Sequence, residues 1–192
     1  MKKIVVKTAL ITLASAVALL LLAFGIASLA FPDKMSELSE SMGNKKLALS
    51  YAERQYEYTG STEDLYRCAD LCIRIGDKSK TVKYCEKLVG KQNFKECCGT
   101  KVEYVYGSYA TALYLSGEED KALEIADLSV ADGFGVPNTY GTLTLKALDL
   151  QDKEFGAKLL SAFSEIEVPQ EEFKLNYYNA IKVNLEKLVG VN

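Results

Sequence analysis

The chain has 192 residues, 23 of them Lys or Arg against 26 Asp or Glu, with no His and no Trp. Its first 31 residues contain three lysines and no acid, so the remainder is acidic and offers no basic stripe, which argues against nucleic-acid partners. The lack of His removes the commonest general base and neutral metal ligand.

Residues 1–7 form a basic flank with Lys2, Lys3 and Lys7, and residues 8–31 are uncharged and dominated by Ala, Leu, Val and Ile. A helix of that length rises roughly 36 Å, enough to cross a hydrocarbon core of about 30 Å. This is read as a signal-anchor that contacts the lipid bilayer through residues 8–31. The competing reading is a cleaved secretory signal, with Ser28 and Ala30 as small residues before a new N-terminus at Phe31. Signal cores usually run about 7–15 apolar residues, and this one is longer. Three lysines before the segment against Lys34, with Lys45 and Lys46 farther on, place the N-terminus in the cytoplasm and the following domain outside it.

Residues 32–44 read as a juxtamembrane segment and 45–192 as an all-α repeat domain. Gly43, Gly76 and Gly117 each precede a small residue by five positions, and Gln151 stands where a fourth glycine would be, giving spacings of 33, 41 and 34 residues. Each interval has room for helix, turn and helix. The clearest unit runs from Glu103 to Asp132, with Tyr106, Tyr109, Ala110 and Leu113 on its first helix and Ala122, Ala126 and Ser129 on its second. Thr62 to Val89 repeats the pattern with Leu65, Cys68, Ala69 and Cys72, then Thr81, Cys85 and Leu88. Pro137 to Phe163 does so with Tyr140, Leu143, Thr144 and Ala147, then Gly156, Leu160 and Phe163. The small residues sit where two helices about 8–10 Å apart must cross. Ser116 to Glu119 and Ser61 to Asp64 have capping-box spacing, and Gly60 suits a helix end. A last amphipathic helix, with Phe173, Tyr177, Ile181, Leu185 and Leu188 on one stripe, would cover the end of a stack.

Pitch and pattern together resemble the tetratricopeptide repeat. The resemblance implies an α-solenoid of about 3.5–4 helical hairpins with a C-terminal capping helix. Thr81, Thr144, Gln151 and Gly156 depart from that family's usual residues. A related helical-hairpin solenoid remains the alternative.

In the resembled family the first helices line a concave groove that holds peptides. Carried onto this chain, those positions are Glu63, Tyr66, Asp70, Ile73 and Arg74; then Tyr104, Gly107, Thr111, Tyr114 and Leu115; then Asn138, Gly141, Leu145, Leu148 and Asp149. Tyr66, Tyr104 and Tyr114 are the expected contact residues. Arg74 is the one cation, opposed by Glu63, Asp70 and Asp149, so an acidic tail is disfavoured.

Chemistry-bearing clusters have structural readings. Cys68, Cys72 and Cys85 fit buried apolar positions, with a disulfide from Cys85 to Cys72 or Cys68 as the alternative in an oxidising compartment. Cys97 and Cys98 read as part of an exposed loop in which Lys91, Lys95 and Lys101 favour thiolate while Glu96 opposes it and no partner base stands nearby. No cysteine spacing suits zinc, and Glu118, Glu119, Asp120, Glu171 and Glu172 suit first helical turns. The chain is expected not to be an enzyme and to need no cofactor or metal. The function expected is a membrane-anchored adaptor that binds a protein or peptide. A fixed accessory subunit of a membrane complex is the alternative, or, if residues 1–30 are removed, a secreted stapled repeat protein.

Overall fold

A computed structural model describes residues 2–133 and 136–191, and the side chains of 12–133 and 139–191. Among the described residues all regular structure is helical. Eleven α-helices run in order: α1 Lys2–Ala30, α2 Pro32–Ser41, α3 Lys45–Thr59, α4 Thr62–Ile75, α5 Lys78–Val89, α6 Phe94–Cys98, α7 Val102–Tyr114, α8 Glu119–Ala131, α9 Val136–Leu150, α10 Lys153–Ser164 and α11 Glu172–Val189. The chain divides into two compact units, Met1–Gly60 and Ser61–Asn192.

In the first unit, Thr12–Ala30 of α1 is long and apolar enough to cross a membrane, and none of it is buried within the protein. Phe31 breaks the helix and Pro32 opens α2 at a position where a missing N–H costs nothing. α2 and α3 pack as a pair. Met35, Ser36 and Ser39 of α2 and Ala48, Leu49 and Ala52 of α3 are buried, and the Ser36 hydroxyl donates to the Ala48 carbonyl at 2.9 Å. The expected boundary between a juxtamembrane segment and the repeats, at 44/45, therefore falls on the turn inside this hairpin. The Asn44 side chain there accepts from the Leu47 N–H at 3.1 Å, which starts α3.

In the second unit α4 pairs with α5, α7 with α8, and α9 with α10. α7 also lies against α5, α9 against α7, and α11 against both α9 and α10. The turns follow from sequence. Gly76 and Gly117 take the left-handed conformation, and Gln151 is the one described non-glycine residue that does so, with φ 51°. The second helices α5 and α10 begin at aspartate caps: Asp77 accepts from the Lys80 N–H at 3.1 Å and Asp152 from the Phe155 N–H at 3.0 Å. Ser61 caps α4 by accepting from the Asp64 N–H at 3.1 Å.

The expected core residues of α4, α5, α7, α8 and α9 are buried, Ala110, Ala122 and Ala126 completely. Three details differ. Ser116 does not cap α8; its hydroxyl donates back to the Ala112 carbonyl at 2.8 Å and α8 starts at Glu119 without a side-chain cap. On α10 the buried stripe is Phe155, Gly156, Leu159 and Phe163, leaving Leu160 only half-buried. On α11 the buried residues are Tyr178, Ile181, Leu185 and Leu188, while Phe173 and Tyr177 are exposed and pack edge-on against each other. The stripe follows Tyr178, which stacks on Phe163 with ring centroids 4.5 Å apart.

The longer 41-residue interval contains α6 rather than an open loop. Phe94 is buried edge-on to Tyr106 with centroids 5.4 Å apart, Lys95 pairs with Asp132 at 2.9 Å, and Thr62 donates to Asn93 at 2.7 Å. Tyrosine hydroxyls tie successive helices together. Tyr106 donates to Asp132 at 2.6 Å, Tyr114 to Asp152 at 2.8 Å, and Tyr140 to Asp127.

Candidate functional site: a trough across α4, α7 and α9

Small residues dominate the sequence of α7 from Gly107 to Ala112, broken only by Tyr109, which turns into the core. With little side-chain bulk the backbone itself forms a floor, and neighbouring helices rise on either side. The result is a cleft of about 380 Å³ bounded by Ile73 and Gly76 of the first hairpin, Ser108 and Thr111 of α7, Leu115 just after it, and Thr142 of α9. A second cleft of about 470 Å³ shares Ser108 and Thr142 and runs on past Gly107, Tyr104, Glu103 and Lys101. Together they make one trough that crosses three successive first helices. The first cleft mixes aliphatic groups with hydroxyls, the kind of surface that takes a mostly apolar ligand and fixes its orientation with a few hydrogen bonds, and the second adds the charged ends of Lys101 and Glu103.

Of the expected groove residues, Ile73, Thr111 and Leu115 line the first cleft and Tyr104 and Gly107 the second. Tyr66 and Asp70 are half-buried on α4, and Arg74 forms an ion pair with Asp70 at 3.3 Å. That pairing ties up the cation expected to face a ligand. Glu63 is exposed and lines neither cleft. Tyr114 is only 6% exposed and stacks on Phe155 with centroids 4.0 Å apart; it is a packing residue between hairpins, because its ring is covered by α10 and its hydroxyl is held by Asp152. Gly141 faces α11, where a Cβ would lie 3.6 Å from Ile181. Leu145, Leu148 and Asp149 line neither cleft, Leu145 being exposed and Asp149 lying 3.8 Å from Lys146. Asn138 lies outside the described side chains.

Sequence reasoning missed Ser108 and Thr142, which join the two clefts, and Lys78, whose ammonium donates to the Leu115 carbonyl at 3.3 Å across one end. Their signal was present in the run of small residues itself. Register was carried over at fixed positions, whereas the trough follows the lack of bulk on both sides of α7.

The phenols and thiols near the trough are held in their neutral forms. Burial, reinforced by Asp70, pushes the Tyr66 phenol up to about 12, and burial and then Asp70 raise Tyr104 as well, against Arg74. Both phenols remain hydrogen-bond donors at neutral pH. Burial and the neighbouring Cys97 push the Cys98 thiol up to about 12, and burial followed by Glu63 raises Cys97. The exposed loop expected here is therefore corrected: Cys98 is buried and Cys97 half-buried on α6, and the charge that acts on Cys97 is Glu63 rather than Lys91, Lys95 or Lys101. Cys85 is also pushed up to about 12, by burial and then by Cys72 and Cys98. Cys72 and Cys85 are fully buried on paired helices. No group of three or more Cys, Asp or Glu positioned to hold a metal ion occurs among the described residues. No protein-family model matches this chain, and no curated protein matches it.

Proposed function

We propose that the chain is a membrane-anchored interaction protein in which α1 crosses the bilayer and the trough on α4, α7 and α9 holds a peptide segment of a partner. The trough carries this reading. It runs across three first helices, has a floor of small residues that lets a ligand approach the backbone, and carries hydroxyls along it, with Lys101 and Glu103 at one end. Such a surface favours an apolar or mildly polar peptide over an acidic tail. The succession of hairpins, each first helix against the preceding hairpin and α11 on the last, supports a tetratricopeptide-like solenoid arrangement for the second unit.

The charge asymmetry around α1 supports a cytoplasmic N-terminus with the rest of the chain outside. Intact mass of the purified protein tests the anchor, since a mature N-terminus at Phe31 would make the segment a cleaved signal. The trough is tested by Ser108→Trp, which fills the junction of the two clefts, against Glu124→Trp on the exposed side of α8. Both proteins should keep their helicity. Recovery of membrane partners after detergent extraction should fall roughly tenfold for Ser108→Trp alone, as expected for loss of a central contact patch. Equal recovery would overturn the groove reading. A stoichiometric, salt-resistant partner would mark the chain as a fixed accessory subunit, and transient partners as an adaptor.

A further inference from the structure

We infer that the first unit carries a seat for a zwitterionic phospholipid headgroup at the C-terminal end of α1, an inference that rests on the reading of α1 as a membrane-crossing helix. The seat is a cleft of about 470 Å³ whose apolar side is Leu29 and Ala30, the last residues of α1, and whose polar side is Asp33, Arg54, Gln55 and Tyr58. Arg54 is fixed there by two contacts. Its guanidinium donates to the Ser28 carbonyl at 3.0 Å and lies over the Tyr51 ring at 5.9 Å. A cation at this end of a helix is favoured by the dipole of the aligned peptides. A guanidinium has five N–H donors in a planar fork, and the bond to Ser28 uses one of them.

Depth in the bilayer follows from the same helix. The apolar stretch Thr12–Ala30 ends at this cleft, so a bilayer around it puts the cleft at the level of the headgroups. Tyr58, 88% exposed, and Phe31, 59% exposed, then occupy the layer where aromatic side chains gather. The charge pattern selects the headgroup. Arg54 matches the phosphate, and Asp33 matches an ammonium through the carboxylate that also meets Lys34 at 3.7 Å, a lysine drawn closer to Glu37 at 3.2 Å; Glu53 and Glu57 flanking Arg54 on α3 oppose a headgroup with net negative charge. The ligand class is therefore a glycerophospholipid with phosphate and ammonium together, its acyl chains lying along α1.

The test uses the full-length protein purified in a mild detergent, with dioleoyl-phosphatidylethanolamine and dioleoyl-phosphatidylglycerol added separately and adducts counted by native mass spectrometry. The wild type should bind the ethanolamine lipid with about tenfold preference, as one charge-assisted contact is enough to give. Asp33→Asn should abolish the preference while leaving phosphate binding, Arg54→Ala should weaken both lipids roughly tenfold, and Arg54→Lys should restore part of the loss. Circular dichroism checks that each variant keeps its helices, and Asp33→Asn, which leaves the Arg54 contact to α1 intact, stands if Arg54→Ala does not fold. Equal binding of the two lipids by the wild type, or unchanged binding by Arg54→Ala, would overturn the headgroup seat. Alkaline carbonate extraction separates this from the parent reading: protein released from membranes means that α1 does not cross them, whereas retained protein without lipid preference refutes the seat alone.

Discussion

Tyr114→Phe isolates one hydrogen bond that joins two hairpins. The substitution keeps the ring that stacks on Phe155 at 4.0 Å and removes only the hydroxyl that donates to Asp152 at 2.8 Å. A hydrogen bond to a charged group contributes about 1.5–3 kcal/mol. Asp152 retains some contact with water, which lowers this to about 1–2 kcal/mol. For a chain of this size the melting temperature should fall by roughly 3–6 °C. The effect should also depend on pH. The backbone N–H of Phe155, followed by the Tyr114 hydroxyl, holds Asp152 below its ordinary value of 3.8. A carboxylate lowered in the folded state stabilises it above the unfolded value, and that contribution is lost as pH falls through the folded value. The gap between wild type and Tyr114→Phe should thus be constant near neutrality and close below the ordinary carboxylate range. Thermal melts of full-length protein in detergent at pH 7 and at successive acid pH values measure it. Identical melts at pH 7, or a gap that widens on acidification, would refute the reasoning.

Other substitutions probe the packing. Ala110→Leu, at a fully buried position on α7, should cost about 1–3 kcal/mol by overpacking, read as a lower melting midpoint. Gly141→Ala should stabilise by about 0.5–1 kcal/mol, since the new Cβ makes ordinary contact with Ile181 at 3.6 Å and glycine is a poor helix former. Gly156→Ala should show no such gain, because its Cβ would stand 2.7 Å from Leu188, and the melting midpoints of the two alanine variants decide the comparison. Alkylation of the native protein without reductant should modify Cys97 first and leave Cys68, Cys72, Cys85 and Cys98 protected until unfolding, judged by peptide mass mapping. A Cys72–Cys85 disulfide in protein taken from its native membrane would appear there as a pair that resists alkylation even after unfolding.

The helices and their pairing were legible because turn chemistry is local. Gly76 and Gly117 lie at left-handed turns, and Gln151 adopts the same conformation where the spacing alone suggested a glycine. The alanines of α7 and α8 likewise announced a close crossing, since bulk there would separate the helices. What was not legible depends on long-range partners. Tyr114 has the sequence character of a contact residue, yet Phe155 and Asp152, some forty positions on, bury it. On α11 Ile181, Leu185 and Leu188 are buried as expected, but the spacing puts the start of the stripe on Phe173 and Tyr177 because Tyr177 and Tyr178 are both aromatic, and only the stack on Phe163 selects the second. Cys97 and Cys98 were placed in a loop because extra residues in a repeat suggest one. Phe94 and Lys95 instead fasten that segment to Tyr106 and Asp132.

The most direct measurement of the account is photo-crosslinking in native membranes, with a photoreactive amino acid placed at Thr111 or Leu115 in the trough, or at Lys87 or Glu124 on exposed faces of α5 and α8. The trough positions should give a discrete crosslinked product that Ser108→Trp abolishes, and the outer positions should not. A product that forms equally from all four positions, or that persists in Ser108→Trp, would contradict peptide binding in the trough.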